Sequence, residues 1–209
     1  MKVEIYSDAV CPWCFIGKRR FDQARRQRPG LALEVQWRAF ELNPGLPATG
    51  MDREEYLLAK FGDRERLHHM QEQLRETGTS LGIQFRFDRI GRTPNTRAAH
   101  QLLALAAEHG LQDPACDALF SAYFAEGRDI GDRQVLAELS AQLGLDAPDS
   151  LDEGRLQDRV LADENLARDW GITGVPTFIF DSRYALSGAQ PAEVFVQFFD
   201  RVSGSASAA

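Results

Sequence analysis

The sequence predicts an α/β fold: a four-stranded sheet made from an N-terminal βαβ unit and a C-terminal ββα unit, with a large α-helical insertion between them. Three observations carry this expectation. Alternating apolar residues at Val3 and Ile5, and again at Leu33, Val35 and Trp37, flank a segment of helical periodicity. From about residue 52 to 170 the patterning is helical, with no convincing strand. Strand patterning then returns at 176–180 and 184–187, ahead of one more amphipathic segment.

Taken in order, the first strand covers residues 2–7 and a helix follows over 12–27. Cys14, Gly17, Phe21 and Ala24 fall at three- and four-residue steps and form its inward seam, and Pro29-Gly30 stops it. The second strand carries Leu33, Val35 and Trp37, so the crossover between these parallel strands is expected to be right-handed. Amphipathic helices are expected over 52–61 and 64–77. Thr93-Pro94-Asn95 opens another, with Ala98, Ala99, Leu102, Leu103 and Ala106 on its apolar face. Asp113-Pro114 reads as an N-cap followed by proline at the first helical position, and two more helices cover 132–143 and 150–170. Gly110, Gly144 and Gly171 sit where helices should end. Asp181-Ser182-Arg183 is the turn of the late hairpin, and the last helix runs over 192–202, before a small, polar tail expected to fray. The expected organisation is one domain from 1–48 and 171–209, with a helical domain at 49–170 inserted into it.

The formal net charge of -7 argues against a nucleic-acid partner, whose binding would rest on neutralising phosphates. No apolar run approaches the roughly 20 residues that span a bilayer, so no membrane role is expected. The opening Met-Lys-Val-Glu-Ile-Tyr-Ser-Asp lacks an apolar stretch behind a basic one, which points to the cytoplasm. Three cysteines in that compartment are no disulfide scaffold, but two of them form Cys11-Pro12-Trp13-Cys14 between a strand and a helix, the setting of a redox pair.

Cys11 is placed at the helix N-terminus, where exposed N–H groups and the dipole favour a thiolate, so it is the expected attacking thiol. Cys14, one turn further in and less exposed, is the expected resolving thiol. Pro12 fixes the first-turn backbone without losing a hydrogen bond, and Trp13 is expected to lie exposed as a contact surface. A zinc site would need about four ligands, and neither Cys116 nor His68, His69, His100 and His109 repeats ligand spacing, so no metal is expected. Cys116 shares an apolar helix side with Leu119, Phe120 and Tyr123 and reads as a core residue. Asp8 either tunes Cys14 or only finishes the first strand. Lys18, Arg19, Arg20, Arg25, Arg26 and Arg28 against Asp22 read as a solvated helix face, with a local positive field as the functional alternative.

Gly171-Ile172-Thr173-Gly174-Val175-Pro176-Thr177-Phe178 is the second strong signal; on its own the proline would only mark a strand start. With the cysteine pair upstream it resembles the thioredoxin superfamily, and that resemblance implies a cis Pro176 packed beside the cysteines. It also implies that Val175 offers its backbone to an extended substrate. Ser7-Asp8-x-x-Cys11-Pro12-Trp13-Cys14-x-x-Gly17 resembles the DsbA family, and more closely its FrnE-like branch. Asn95-Thr96 with Ala99-His100, Ala122-Tyr123-Phe124 to Gly127, and Ser187-Gly188-Ala189-Gln190 extend the resemblance over most of the chain. It implies a thioredoxin-like fold with a large α-helical insertion, and disulfide exchange with protein or peptide thiols. No flavin, nucleotide or other cofactor site is evident, and glutathione stays open as a redox partner. Kappa-class glutathione transferases and 2-hydroxychromene-2-carboxylate isomerases resemble the chain in layout and in the Asn-Thr region, but generally carry serine where Cys11 stands. The two cysteines favour dithiol chemistry, and Asn95 is read as a helix cap.

Overall fold

Strand β1 (Lys2–Ser7) is buried along almost its whole length, with Val3 and Ile5 on one face and Tyr6 and the Arg38-paired Glu4 on the other, and it takes an inner place in the sheet. A computed structural model describes residues 1–145, 151 and 154–206. β1 pairs in parallel with β2 (Glu34–Ala39), with Val3 opposite Val35 and Ile5 opposite Trp37. On its other side it pairs antiparallel with β5 (Thr177–Phe180), Tyr6 opposite Thr177 and Val3 opposite Phe180. β6 (Tyr184–Ser187) completes the order β2-β1-β5-β6. The turn before β6 is held by Asp181 and Ser182 at φ 48° and 52°, and the Asp181 carboxylate accepts the Lys2 N–H at 2.7 Å. An aspartate tolerates this left-handed backbone and here also ties the hairpin to β1.

Helix α1 (Pro12–Gln27) is the crossover, and α8 (Ala192–Ala206) packs alongside it. Phe21 joins them to the sheet: its ring stacks on Phe178 at 5.5 Å and meets Phe195 and Phe199 edge-on at 5.7 and 5.8 Å. Another, smaller cluster of Tyr6, Ile179 and Ala167 forms where α7 (Gly154–Asp169) packs against the sheet. The expected start of that helix at 150 lies outside the described residues, as does the end of the tail at 207–209.

The insertion begins with α2 (Arg53–Phe61) and α3 (Arg64–Ser80), started by Asp52 and Asp63, whose carboxylates accept first-turn N–H groups. It continues through α4 (Arg97–Glu108), α5 (Gln112–Ser121), a wide π-type turn at Ala122–Glu126, and α6 (Arg133–Gln142), capped by Asp132. Gly110, Gly144 and Gly171 have φ of 71°, 71° and 66° just past helix ends, as their positions implied. Phe15 on α1 stacks on Phe120 at 5.0 Å and meets Phe85 edge-on at 6.0 Å, so one hydrophobic cluster runs from the sheet into the insertion.

Three expectations are corrected. A two-residue ribbon, β3 (Met51–Asp52) with β4 (Arg92–Thr93), exists where no strand was expected, and it is too short to leave an alternating pattern. α5 (Gln112–Ser121) starts two residues earlier than Asp113-Pro114 implied, with Leu111 at its N-cap. Asp113 does not cap; its carboxylate accepts the Trp37 indole N–H at 3.2 Å and lies 3.2 Å from Lys18 Nζ. Nor is the basic stripe of α1 a solvated face throughout. Lys18 is fully buried, with Asp22, Asp117 and Asp113 carboxylates 3.0, 3.1 and 3.2 Å from its ammonium. Burial opposes that charge, but the three carboxylates outweigh it and hold the Lys18 pKa above its ordinary value. Arg19, Arg25 and Arg28 pair with Asp117, Asp113 and Asp200, so half or more of the stripe is engaged with carboxylates rather than solvated.

Phe21→Ala removes the ring shared by α1, α8 and β5 and should cost about 3–5 kcal/mol. Urea unfolding measures it, and a loss under about 1 kcal/mol would show that this cluster does not hold the layers together.

Candidate active site

The chain leaves β1 at Ser7 and turns at once, because the Cys11 N–H donates to the Asp8 carbonyl at 3.0 Å. Cys11 is then the N-cap residue of α1, with Pro12 as its first helical residue. Its carbonyl accepts the N–H groups of Cys14 and Phe15 at 3.0 and 3.3 Å. Its side chain makes no capping bond, so the sulfur sits at the positive end of the helix. Trp13 is 43% exposed, whereas Cys11 is 5% and Cys14 1% exposed, and all three cysteines are free thiols. Burial, followed by the hydrogen bond and charge of Cys11, pushes the Cys14 thiol well above its usual pKa; the Ser7 hydroxyl and the Asp8 backbone partly oppose this.

The other half of the site comes from the start of β5, about 160 residues away in sequence. The Val175–Pro176 peptide is cis, and the Cys11 thiol faces the Val175 carbonyl with Sγ–O 3.7 Å. The Pro176 carbonyl accepts the Gly188 N–H at 2.8 Å, and the Gly174 carbonyl accepts the Thr177 hydroxyl at 2.8 Å. The Arg20 guanidinium donates to the Ala189 carbonyl, so the Ser187–Gln190 stretch links α1 to the proline loop. Gly17 makes the approach feasible: a Cβ there would stand 2.9 Å from Pro176 Cγ.

Asp8 does more than finish the strand. It is fully buried, its Oδ2 accepts the Leu42 N–H at 2.7 Å, and its Oδ1 lies 3.5 Å from His100 Nε2. His100, on α4, is buried as well. Burial opposes its charged form, but the hydrogen-bonding and charge of Asp8, with the charges of Glu41 and Glu164, prevail and raise its pKa. Sequence reasoning gives His100 no role at the site, since it enters there only as a discounted zinc ligand and as part of the Ala99-His100 resemblance. The available signal was a histidine beside Ala99 on a helix otherwise rich in apolar residues. Asn95 fits its reading as a cap in part: its Oδ1 accepts the Arg97 N–H at 3.0 Å at the start of α4, and its amide also donates to the Leu46 carbonyl.

A cleft of about 190 Å³ opens beside Cys11, Pro12 and Trp13 and is walled on the far side by Leu57, Phe61 and Met70 of the insertion. A second groove of about 380 Å³ runs along the other flank of the Pro176 loop, past Trp170 and Ile172. Cys116 lies apart, buried on α5, where burial pushes its thiol pKa well up despite the nearby Lys18 charge. Among the described residues no group of three or more His, Cys, Asp and Glu side chains could hold a metal ion. No helix among them is long and apolar enough to cross a membrane.

A dithiol at a helix N-terminus, facing a cis-proline loop across a sheet in the order β2-β1-β5-β6, defines a thioredoxin-class site. The chain belongs to the family described as the DSBA-like thioredoxin domain, whose pattern matches residues 2–200. It is 38% identical to a probable DsbA oxidoreductase from Streptomyces coelicolor, with a TM-score of 0.89 over 98% of this chain and 90% of that one. The uncharacterized protein YwbO of Bacillus subtilis is 30% identical over 199 residues, 92% of each chain. A 2-hydroxychromene-2-carboxylate isomerase has the same fold at 17% identity, with a TM-score of 0.75 over 99% of this chain and 98% of that one.

Gly17→Ala should force the Pro176 ring off α1 and cost about 1–3 kcal/mol through overpacking, read by urea unfolding. Unchanged or raised stability would mean that the proline loop does not depend on this close approach.

Proposed function

We propose that the chain is a dithiol oxidoreductase that exchanges disulfides with protein or peptide thiols through a mixed disulfide on Cys11. The observation that carries this reading is the order of the two sulfurs. Cys11 Sγ lies at the helix N-terminus against the Val175 carbonyl and borders the cleft, while Cys14 is buried behind it.

In the reducing direction, the Cys11 thiolate attacks a substrate disulfide. One Cys11–substrate S–S bond forms, the substrate bond breaks, and the far substrate sulfur leaves with the electron pair. Cys14 then loses its proton and attacks Cys11 Sγ. The Cys11–Cys14 bond forms, the mixed disulfide breaks, and the second substrate sulfur leaves as a thiolate that takes up a proton. The protein is oxidised by two electrons and the substrate reduced; the oxidising direction is the same sequence reversed. In the mixed disulfide the Cys11 S–H is gone, so the Val175 carbonyl is free to accept an N–H from an extended peptide. Trp13, exposed next to the sulfur, supplies contact area.

We place the protein in the cytoplasm, which fits a chain whose cysteines comprise one exchange pair and one buried core thiol. Glutathione is proposed as a small-thiol partner that can recycle the pair, and no cofactor is invoked. The isomerase with the same fold speaks for the fold alone; the presence of both cysteines favours exchange over isomerisation.

Cys14→Ser should accumulate a covalent adduct with insulin chains, visible by intact-mass analysis, because the resolving thiol is missing. Cys11→Ser should lose insulin reduction, while Cys116→Ala should stay close to wild type. Full activity in Cys11→Ser would remove the dithiol reading and favour glutathione-dependent isomerase or transferase chemistry.

A further inference from the structure

Behind the cysteine pair lies a run of buried charge that the exchange steps do not use. Asp8 bridges it to the sulfurs. Its carbonyl accepts the Cys11 N–H at 3.0 Å and its backbone favours the Cys14 thiolate, while its buried carboxylate accepts the Leu42 N–H at 2.7 Å and, more weakly, the Val10 N–H at 3.5 Å. Facing that carboxylate at 3.5 Å is the His100 ring, whose nitrogens are both buried without a partner in good hydrogen-bond geometry. A buried imidazole whose nitrogens lack well-formed hydrogen bonds is costly when neutral, and a buried carboxylate 3.5 Å away favours its charged form.

The surroundings decide which charge the ring prefers. From the loop after β2, Glu41 faces it, with its carboxylate fully buried and paired with Arg97 at 2.9 Å. From α7, Glu164 contributes a further negative charge, and its carboxylate accepts the Glu41 N–H at 3.3 Å. Arg97 is on the same helix as His100, and its guanidinium is engaged by Glu41. Tyr123, itself hydrogen-bonded by Arg53 at 2.7 Å, lies within electrostatic range of Asp8. Three carboxylates against one arginine leave an excess of negative charge around the ring, and the result is the raised His100 pKa.

We propose that Asp8 and His100 are positioning residues for the resolving step, a charge pair whose protonation sets how readily Cys14 ionises. The inference rests on the dithiol reading above. With His100 protonated, the pair is neutral and Cys14 loses its proton against a compensated background. Once His100 is neutral, Asp8 remains as an uncompensated buried carboxylate behind Cys14, and the thiolate becomes harder to form. The sign is therefore opposite to that of the thiol's own titration. Rising pH favours the Cys14 thiolate directly, whereas passage through the raised His100 pKa holds it back. The proton balance of the reaction is unaltered: the Cys14 proton still ends on the departing substrate sulfur or in water.

The test is stopped-flow resolution of a preformed mixed disulfide between Cys11 and a small aromatic thiol, followed from pH 6 to 9. In wild type the logarithm of the rate should climb, flatten through the titration of His100, and then climb again. The plateau should amount to about a tenfold shortfall, one unit in the Cys14 pKa. His100→Gln and Asp8→Asn should each give a profile without the flattening. Proton NMR of the His100 ring in wild type should give an inflection above about 6.5 that coincides with the kinetic one, a measurement that needs no variant to fold. Profiles of identical shape, shifted by one constant factor at every pH, would mean that the pair only braces the loop and would overturn the proposal. So would an NMR inflection that misses the kinetic one. Failure of the wild-type mixed disulfide to resolve at any pH would instead remove the dithiol reading beneath it.

Discussion

The antiparallel pairing of β1 with β5 is the interaction on which the site depends. Tyr6 lies opposite Thr177, so the turn that leaves β1 toward the cysteines and the loop that enters β5 through Pro176 emerge at the same end of the sheet. Cys11 Sγ and the Val175 carbonyl are 164 positions apart in the chain yet 3.7 Å apart in space for that reason. A register slip of one residue would turn the buried faces of β5 over and withdraw the proline loop from the sulfur. The aromatic layer of Phe21, Phe178, Phe195 and Phe199 protects that register, because it packs α1 and α8 onto the strand that carries the loop.

Two buried basic groups lie on or beside the reactive helix, and they differ in kind. Lys18 has three carboxylates within 3.0–3.2 Å, which joins α1 to α5 and satisfies the ammonium outright. A pair of that type fixes geometry more than it adds stability, since desolvation cancels much of the attraction. His100 has no such closure, only an ion-pair contact with Asp8 in a site of excess negative charge. The first arrangement holds the helix that carries the thiols. The second leaves a buried titratable ring against Asp8, the residue whose backbone contacts both cysteines.

Most of the sheet and nearly every helix were legible, because their signals are local. Gly171 marks a helix end through its left-handed backbone and Asp132 a helix start through its carboxylate, and the Cys11–Cys14 spacing needs only the preceding strand and following helix to be read. What escaped was set by partners distant in sequence. Asp113 looks like an N-cap, but it serves Lys18 and the Trp37 indole once α5 packs beside α1. The β3–β4 ribbon is two residues long on each side, below the length at which alternation is visible. Lys18 and His100 carry polar side chains into the interior, and only tertiary neighbours reveal the carboxylates that face them. The insertion wall of the cleft joins residues from α2 and α3 to the cysteine turn, a convergence that no sequence period encodes.

The central claim is that Cys11 and Cys14 form one reversible two-electron couple. Equilibrating the protein across glutathione redox buffers, and reading the oxidised fraction by thiol alkylation and mass, tests it most directly. The account predicts a single transition that follows the square of the reduced glutathione concentration over that of its disulfide, with two thiols lost together as an internal disulfide. A transition that stops at one glutathione per chain on Cys11, with Cys14 still a free thiol, would contradict it.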